Sequence, residues 1–139
     1  MNIYQRLEPL LPVVCPRFYC QNDIHGNTYV FLDEGGGGKT NTLPAIQDKT
    51  QLEATENHIH LFDGPFRKKD YELIKELSLR LAQNMFDKLT DAFPEKKFML
   101  YLTMNNDSVI IRFHQRWQDE PPYYDLTDTY DAEIFAFEK

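Results

Sequence analysis

The chain has little positive charge: its 139 residues include 15 Lys and Arg against 22 Asp and Glu, for a formal net charge of −7. Binding to the phosphates of DNA or RNA needs a basic stripe, and adsorption to an anionic membrane surface also needs basic residues. The shortage of basic residues therefore argues against a nucleic-acid-binding protein and against a protein that binds membrane surfaces. We expect no nucleic-acid partner and no membrane partner.

Cysteine is also scarce, with only Cys15 and Cys20. Their spacing differs from the C-x-x-C of redox and zinc sites. On a strand, an offset of five residues places the two side chains on opposite faces, so we expect two reduced, partly buried thiols. The sequence lacks a run of 18 apolar residues, and its N-terminus has neither a basic region nor an apolar core. We therefore expect a cytoplasmic protein with no membrane span and no signal peptide.

The composition is that of a chain with a real core, because hydrophobic residues make up 42 % and aromatic residues 14 %. We expect a single domain over residues 1–139, with a long flexible loop at about 33–57. The loop contains the string GGGGKT, residues 35–40, which is similar to a phosphate-binding loop. That motif needs a glycine where Asp33 stands and a helix directly after Thr40, so we favour a flexible loop.

Hydrophobic patterns predict an α+β fold with a mostly antiparallel sheet of five or six strands. One long helix is expected to pack across a face of this sheet, and a short helix over residues 2–11 is expected to end at Pro12. The long helix is predicted to run from Asp70, as its N-cap, to about Phe93. Its apolar stripe is Ile74, Leu77, Leu81, Met85 and Leu89. Strands are predicted at residues 17–20, 28–32, 58–62, 98–103, 109–114 and 133–137.

Histidines suggest two kinds of site. His58 and His60 share one face of a strand, which is a metal-ligand geometry, but the local sequence offers no further ligand. We therefore assign no metal and no cofactor. His114 lies between two arginines and close to Asp119 and Glu120, an arrangement that could perform acid–base chemistry. It could equally be an exposed strand face with compensating charges, and we assign no catalytic residue.

The acidic charge is concentrated at the C-terminus. Residues 118–139 contain seven carboxylates and a single basic residue, Lys139, so they carry −6 of the formal −7. Such a local field attracts a basic partner, and the aromatic residues mixed into it are typical of recognition surfaces. The alternatives are a solvated tail and a structural loop whose tyrosines cover the core edge. The predicted partner-binding residues are Trp117, Asp119, Glu120, Tyr123, Tyr124, Asp125, Asp128, Asp131 and Glu133.

The run VIIRFHQRWQDEPPYYD, residues 109–125, with the small acidic α+β chain around it, resembles immunity proteins of bacterial polymorphic-toxin and contact-dependent inhibition systems. The resemblance implies a cytoplasmic antitoxin without enzymatic activity. Such a protein binds a cognate toxin domain, often a basic nuclease, and blocks its active site. Two alternatives stay open: a small enzyme that uses His114 with a nearby carboxylate, and a structural or regulatory homodimer that pairs through an exposed strand edge. The oligomeric state is not predicted.

Overall fold

A computed structural model describes residues 2–33 and 48–139 of the chain. The helices are α1 (Ile3–Leu7), a 3-10 helix (Glu8–Leu10), α2 (Leu11–Val14), α3 (Lys49–Glu56) and α4 (Lys68–Ala92). The strands are β1 (Phe18–Asn22), β2 (Thr28–Leu32), β3 (His58–Asp63), β4 (Phe98–Met104), β5 (Ser108–Gln115) and β6 (Glu133–Glu138). The fold is α+β with antiparallel sheets, as predicted.

The six strands lie in two sheets rather than in the single sheet we predicted. One sheet is the hairpin β1-β2, and the other has the order β3-β5-β4-β6. The side chain of Asn57 joins the two sheets where backbone pairing stops. The side-chain amide of Asn57 accepts from the backbone amide of Leu32 at 2.8 Å and donates to the backbone carbonyl of Val30 at 2.9 Å. The backbone carbonyl of Asn57 accepts from the amide of Phe113. A buried asparagine thus replaces the ladder between β2 and the larger sheet.

The N-terminal helical region continues past the predicted stop. Pro12 lies in the first turn of α2, which runs to Val14. Proline is tolerated there because the amide hydrogens of a first helical turn lack partners within the helix. Cys15 and Cys20 are free thiols and both are exposed, whereas we expected them to be partly buried.

Strands β1 and β2 pair antiparallel as a hairpin, and Asp23 organises its turn. The carboxylate of Asp23 accepts from the amides of His25 and Asn27 and from the side chain of Asn27. These hydrogen bonds, led by the one from the Asn27 side chain, lower the pKa of Asp23 to about 2. Gly26 has a φ of 83°, which a residue without a Cβ adopts readily.

Helix α4 packs on one face of the four-stranded sheet. Its N-cap is Arg67 rather than Asp70, and Asp70 lies in the first turn, where it accepts from Arg67 Nε at 2.7 Å. The buried centre of α4 passes through Ser78, Ala82, Met85, Phe86 and Leu89. The predicted stripe is therefore rotated toward small residues, and Leu77 is 46 % exposed. Ser78 and Ala82 are both fully buried, and small side chains let helix and sheet backbones approach closely.

Strand β4 lies between β5 and β6, and six of its seven residues are buried. Its uncharged, bulky sequence fits a central strand because both of its faces are covered. One face, with Leu100 and Leu102, joins the core under α4. The other face carries Met99, Tyr101 and Thr103. This second face positions the candidate site.

A tight contact beyond β3 leads to a stability prediction. A Cβ built on Gly64 would overlap the carbonyl oxygen of Asn106 and lie 2.9 Å from the amide nitrogen of Phe66. Both neighbours are backbone atoms, so Gly64→Ala should lower the free energy of unfolding by about 2 kcal/mol. Urea denaturation measures the change. Gly26→Ala serves as the comparison, because a Cβ there meets open space and should cost only about 1 kcal/mol of backbone strain. An equal loss in both variants would contradict the close-contact argument.

Among the helices of residues 2–33 and 48–139, none combines the length and the apolar character required to cross a bilayer.

Candidate functional site

Residues 117–132, here called the C-terminal segment, lie over the sheet face opposite α4. They form turns and bends, and β6 follows directly. The rings of Tyr124 and Tyr101 meet edge to face with centroids 4.9 Å apart. The guanidinium of Arg112 lies 4.9 Å from the centre of the Tyr123 ring and donates to its hydroxyl at 3.3 Å. Aromatic and cation–π contacts therefore attach the segment to β4 and β5.

His114 anchors the same segment from below. It is 1 % exposed, which overturns the alternative of an exposed strand face. Nδ1 is 2.7 Å from the carbonyl oxygen of Gln115, an acceptor, so Nδ1 carries the hydrogen. Nε2 then accepts from the backbone amide of Tyr123 at 3.2 Å and from the Tyr101 hydroxyl at 3.0 Å. Burial lowers the pKa of His114, which keeps the imidazole neutral.

A buried carboxylate, Glu53 on α3, is the largest feature that the sequence analysis missed. Glu53 is fully buried. Its Oε1 accepts from the Gln115 amide at 2.9 Å and from Trp117 Nε1 at 2.8 Å. Its Oε2 accepts from the Val30 amide at 2.9 Å and from Gln115 Nε2 at 2.8 Å. Burial raises the pKa of Glu53 to about 7, although the four donors act in the opposite direction.

Glu53 escaped notice because its helix lies in a range predicted to be a loop. The predicted loop covers residues 33–57, and α3 occupies Lys49–Glu56 of it. The glycine string and the rest of residues 34–47 lie outside the described residues. A usable signal was present: Leu52 and Ala54 flank Glu53, and all three are buried.

The first of the predicted site residues, Trp117, is part of the fold. It is half-buried, donates to Glu53 and packs on Tyr29 with ring centroids 5.6 Å apart. Lys49 Nζ lies 4.9 Å from the centre of the Trp117 ring. The indole of Trp117 thus connects the hairpin, α3 and the C-terminal segment.

Asp119 and Glu120 hold the N-terminus of α3. Glu120 accepts from the amides of Lys49 at 3.2 Å and Thr50 at 2.8 Å. A carboxylate at this position satisfies amides that have no partner within the helix, and it interacts favourably with the helix dipole. Asp119 pairs with Lys49 Nζ at 3.1 Å, and this partner lowers the pKa of Asp119. Both carboxylates therefore have a structural function.

Asp125, Asp128 and Asp131 are exposed. Asp125 accepts from the amide and the hydroxyl of Thr127, and Asp128 accepts from the amide of Thr129. Within residues 2–33 and 48–139, no Lys, Arg or His nitrogen lies within 4.0 Å of these three carboxylates. They are the part of the acidic segment whose charge is directed at solvent.

Glu133 belongs to a different neighbourhood. It accepts from the Tyr71 hydroxyl at 2.8 Å and pairs with Lys75 Nζ at 3.1 Å, both on α4. These contacts lower the pKa of Glu133. The nine predicted residues thus divide into three groups: Trp117, Asp119 and Glu120 at α3, residues 123–131 over the sheet, and Glu133 against α4.

A cleft of about 830 Å³ opens between the C-terminal segment and the starts of α3 and β4. Trp117, Tyr124, Met99, Pro121 and Pro122 form its apolar walls. Its charged groups have both signs, and two of them already form an ion pair, Arg116 with Glu138 at 2.9 Å. The remaining lining residues are Thr50, Lys97, His114, Gln118, Glu120, Asp125 and Leu126.

The histidine pair of β3 has neighbours of its own. The rings of His58 and His60 are 5.5 Å apart, His58 bonds to the carbonyl of Thr55, and His60 lies 3.9 Å from Asp63. In the described parts of the chain, no group of three or more His, Cys, Asp or Glu side chains could hold a metal ion.

Comparison with protein families gives a match over most of the chain. A family model, the Uncharacterized protein PM0498 family, matches residues 21–139. The chain belongs to the PM0498 family. Neither the curated proteins nor the solved structures include a significant match. The match begins at Gln21, near the end of β1, and runs to the end of the chain, so β2, Glu53 and the C-terminal segment lie within the family's shared region.

Proposed function

We propose that this PM0498-family protein is an immunity protein that binds and neutralises a cognate bacterial toxin domain. The observation that carries the proposal is the exposed acidic and aromatic portion of the C-terminal segment. Asp125, Asp128 and Asp131 have no ion-pair partner among the described residues, and Leu126 and Tyr130 between them are 54 % and 38 % exposed. Carboxylates next to exposed apolar and aromatic side chains suit a basic partner.

The rigid support of this portion strengthens the proposal. His114 holds the backbone of Tyr123, and Tyr124 packs on Tyr101 and, at 5.3 Å, on Tyr130. Tyr130 in turn accepts a hydrogen bond from the amide of Asp125 at 3.1 Å. A segment that is already ordered loses less conformational entropy when it binds, which favours tight association.

The mechanism would be electrostatic and steric. The three free carboxylates steer a basic domain toward the segment, and Tyr130 and Leu126 then lose their exposed area to the partner. If the toxin is a nuclease, carboxylates can occupy positions built for the phosphates of its substrate. Asp119, Glu120 and Trp117 support α3, and Glu133 pairs with α4. These four residues therefore lie outside the centre of the proposed surface.

The enzyme alternative has less support from the contacts of His114. Both of its ring nitrogens are engaged with Tyr101, Tyr123 and Gln115, and none of these partners is a carboxylate. Dimerisation through an exposed strand edge stays a prediction, which light scattering of the purified protein tests.

The test of the proposed function begins with capture of partners from a lysate of the source cells on the immobilised protein. Each captured protein is then purified and assayed for toxicity or nuclease activity with and without one equivalent of the immunity protein. We expect one basic partner whose activity is abolished. The proposal fails if every captured partner retains its activity in the complex.

A further inference from the structure

One row of residues crosses all four strands of the larger sheet on the face opposite α4. His60, Ile110, Thr103 and Ile134 are consecutive cross-strand neighbours, one each from β3, β5, β4 and β6. His60 is exposed and the other three are half-buried. The next rows on this face are covered, because Arg112 and Tyr101 lie under Tyr123 and Tyr124. The row is therefore the open part of the face.

The row ends in a small pocket. Ile134 and Ala132 form it together with Leu126, Asp128 and Tyr130 of the C-terminal segment, and its volume is about 270 Å³. That space suits one long side chain rather than a drug-sized ligand, which needs about 300–1,000 Å³. Four of its five lining residues have aliphatic or aromatic side chains, and its charged member is Asp128.

The chemistry of this pocket matches an amphipathic cation. Such a side chain buries its methylene stem on apolar surface and keeps its charged head beside a carboxylate. Asp128 Oδ1 accepts from the Thr129 amide at 2.9 Å, which leaves lone pairs of the carboxylate for a second donor. Arginine fits better than lysine, since its planar guanidinium also packs against the tyrosine ring.

We propose that this pocket receives an arginine side chain of the partner protein. The stem of the arginine lies between Leu126 and Ile134, and the guanidinium lies against Tyr130 and donates to Asp128. The open row beside the pocket then contacts the residues next to that arginine. This inference rests on the proposed function for the identity of the partner, and it adds Ile134, Ile110 and Thr103 to the binding surface.

The test uses a probe and needs no partner. N-acetyl-L-arginine amide is titrated into the ¹³C-methyl-labelled protein, and its neutral isostere N-acetyl-L-citrulline amide serves as the ligand control. We expect concentration-dependent shifts of the Leu126 and Ile134 methyl resonances with the arginine compound. Asp128→Asn should weaken this binding about tenfold, since a charge-assisted hydrogen bond is lost. Asp91→Asn, the same change at an exposed site on α4, should leave it unaltered.

Three outcomes would overturn the pocket assignment. These are equal shifts with the citrulline compound, unchanged affinity in Asp128→Asn, and shifts that occur at the Trp117 cleft instead of at Leu126 and Ile134. The probe result is independent of the capture experiment. Probe binding without a neutralised toxin would support the arginine pocket and reject the immunity function. A neutralised toxin without probe binding would support the immunity function and reject the arginine pocket.

Discussion

Glu53→Gln should lower the free energy of unfolding by about 3 kcal/mol or more at pH 8. The carboxylate accepts four hydrogen bonds from buried donors, two at each oxygen. A glutamine amide can accept two of them, and its NH₂ group then faces the other two donors. Each buried donor left without an acceptor costs about 1–3 kcal/mol. Urea denaturation of the two proteins measures the difference.

The stability difference between these proteins should also depend on pH. Burial raises the pKa of Glu53 from its ordinary 4.5 to about 7. Between these values the folded chain holds a proton that the unfolded chain has released, so protonation stabilises the folded state. This contribution is fully present below pH 4.5 and is lost as the pH rises through 7. The gap between the native protein and Glu53→Gln should therefore widen as the pH is lowered from 8 to 5.

A matched control separates the loss of the buried Glu53 network from the general effect of removing one negative charge. Glu95→Gln makes the same change at an exposed position just beyond α4. We expect its free energy of unfolding to stay within about 0.5 kcal/mol of the native value at both pH values. If Glu53→Gln behaved like Glu95→Gln, the buried network would not stabilise the fold as its geometry indicates.

The triple variant Asp125→Asn, Asp128→Asn, Asp131→Asn should slow association with the captured toxin about tenfold or more at low ionic strength. Its association rate should also depend less on salt, because the removed charges supply the long-range attraction. Stopped-flow mixing over a range of salt concentrations measures both quantities. The dissociation rate should change less than the association rate. The part of its change that remains should come from Asp128, which is proposed to accept a hydrogen bond from the partner's arginine.

The control for this variant removes the same formal charge from another surface. Asp87→Asn, Asp91→Asn and Glu95→Gln lie at or just beyond the C-terminal end of α4, away from the C-terminal segment. If they slowed association equally, net charge rather than the segment would be responsible. An unchanged rate in the first variant would remove the electrostatic part of the proposed mechanism. Glu120 is left out because its replacement would remove the acceptor of two amides at the N-terminus of α3.

The local sequence was sufficient to predict most strands, because a strand shows its alternating or uncharged pattern within a few consecutive residues. Thr28–Leu32 has the predicted bounds, and β4 has the uncharged run typical of a buried central strand. Helix α3 was missed because it is short and polar, with Leu52 and Ala54 as its buried apolar residues. Asp48 caps the helix locally by accepting from the Gln51 amide, but its N-terminus is also stabilised by Glu120, 70 residues along the chain from Thr50, and the local sequence cannot show that contact.

In the candidate site, too, some features follow from the local sequence and others depend on the tertiary structure. The sequence alone established that the acidic and aromatic residues are concentrated at the C-terminus, since charge and composition are properties of the chain. Only the tertiary structure decided which carboxylates are free to act. Asp119 meets Lys49 across 70 residues and Glu133 meets Lys75 across 58, while Asp125, Asp128 and Asp131 face solvent. Ion pairs between such distant positions depend on how the sheets and helices pack, and for this reason composition could locate the charge but not its partners.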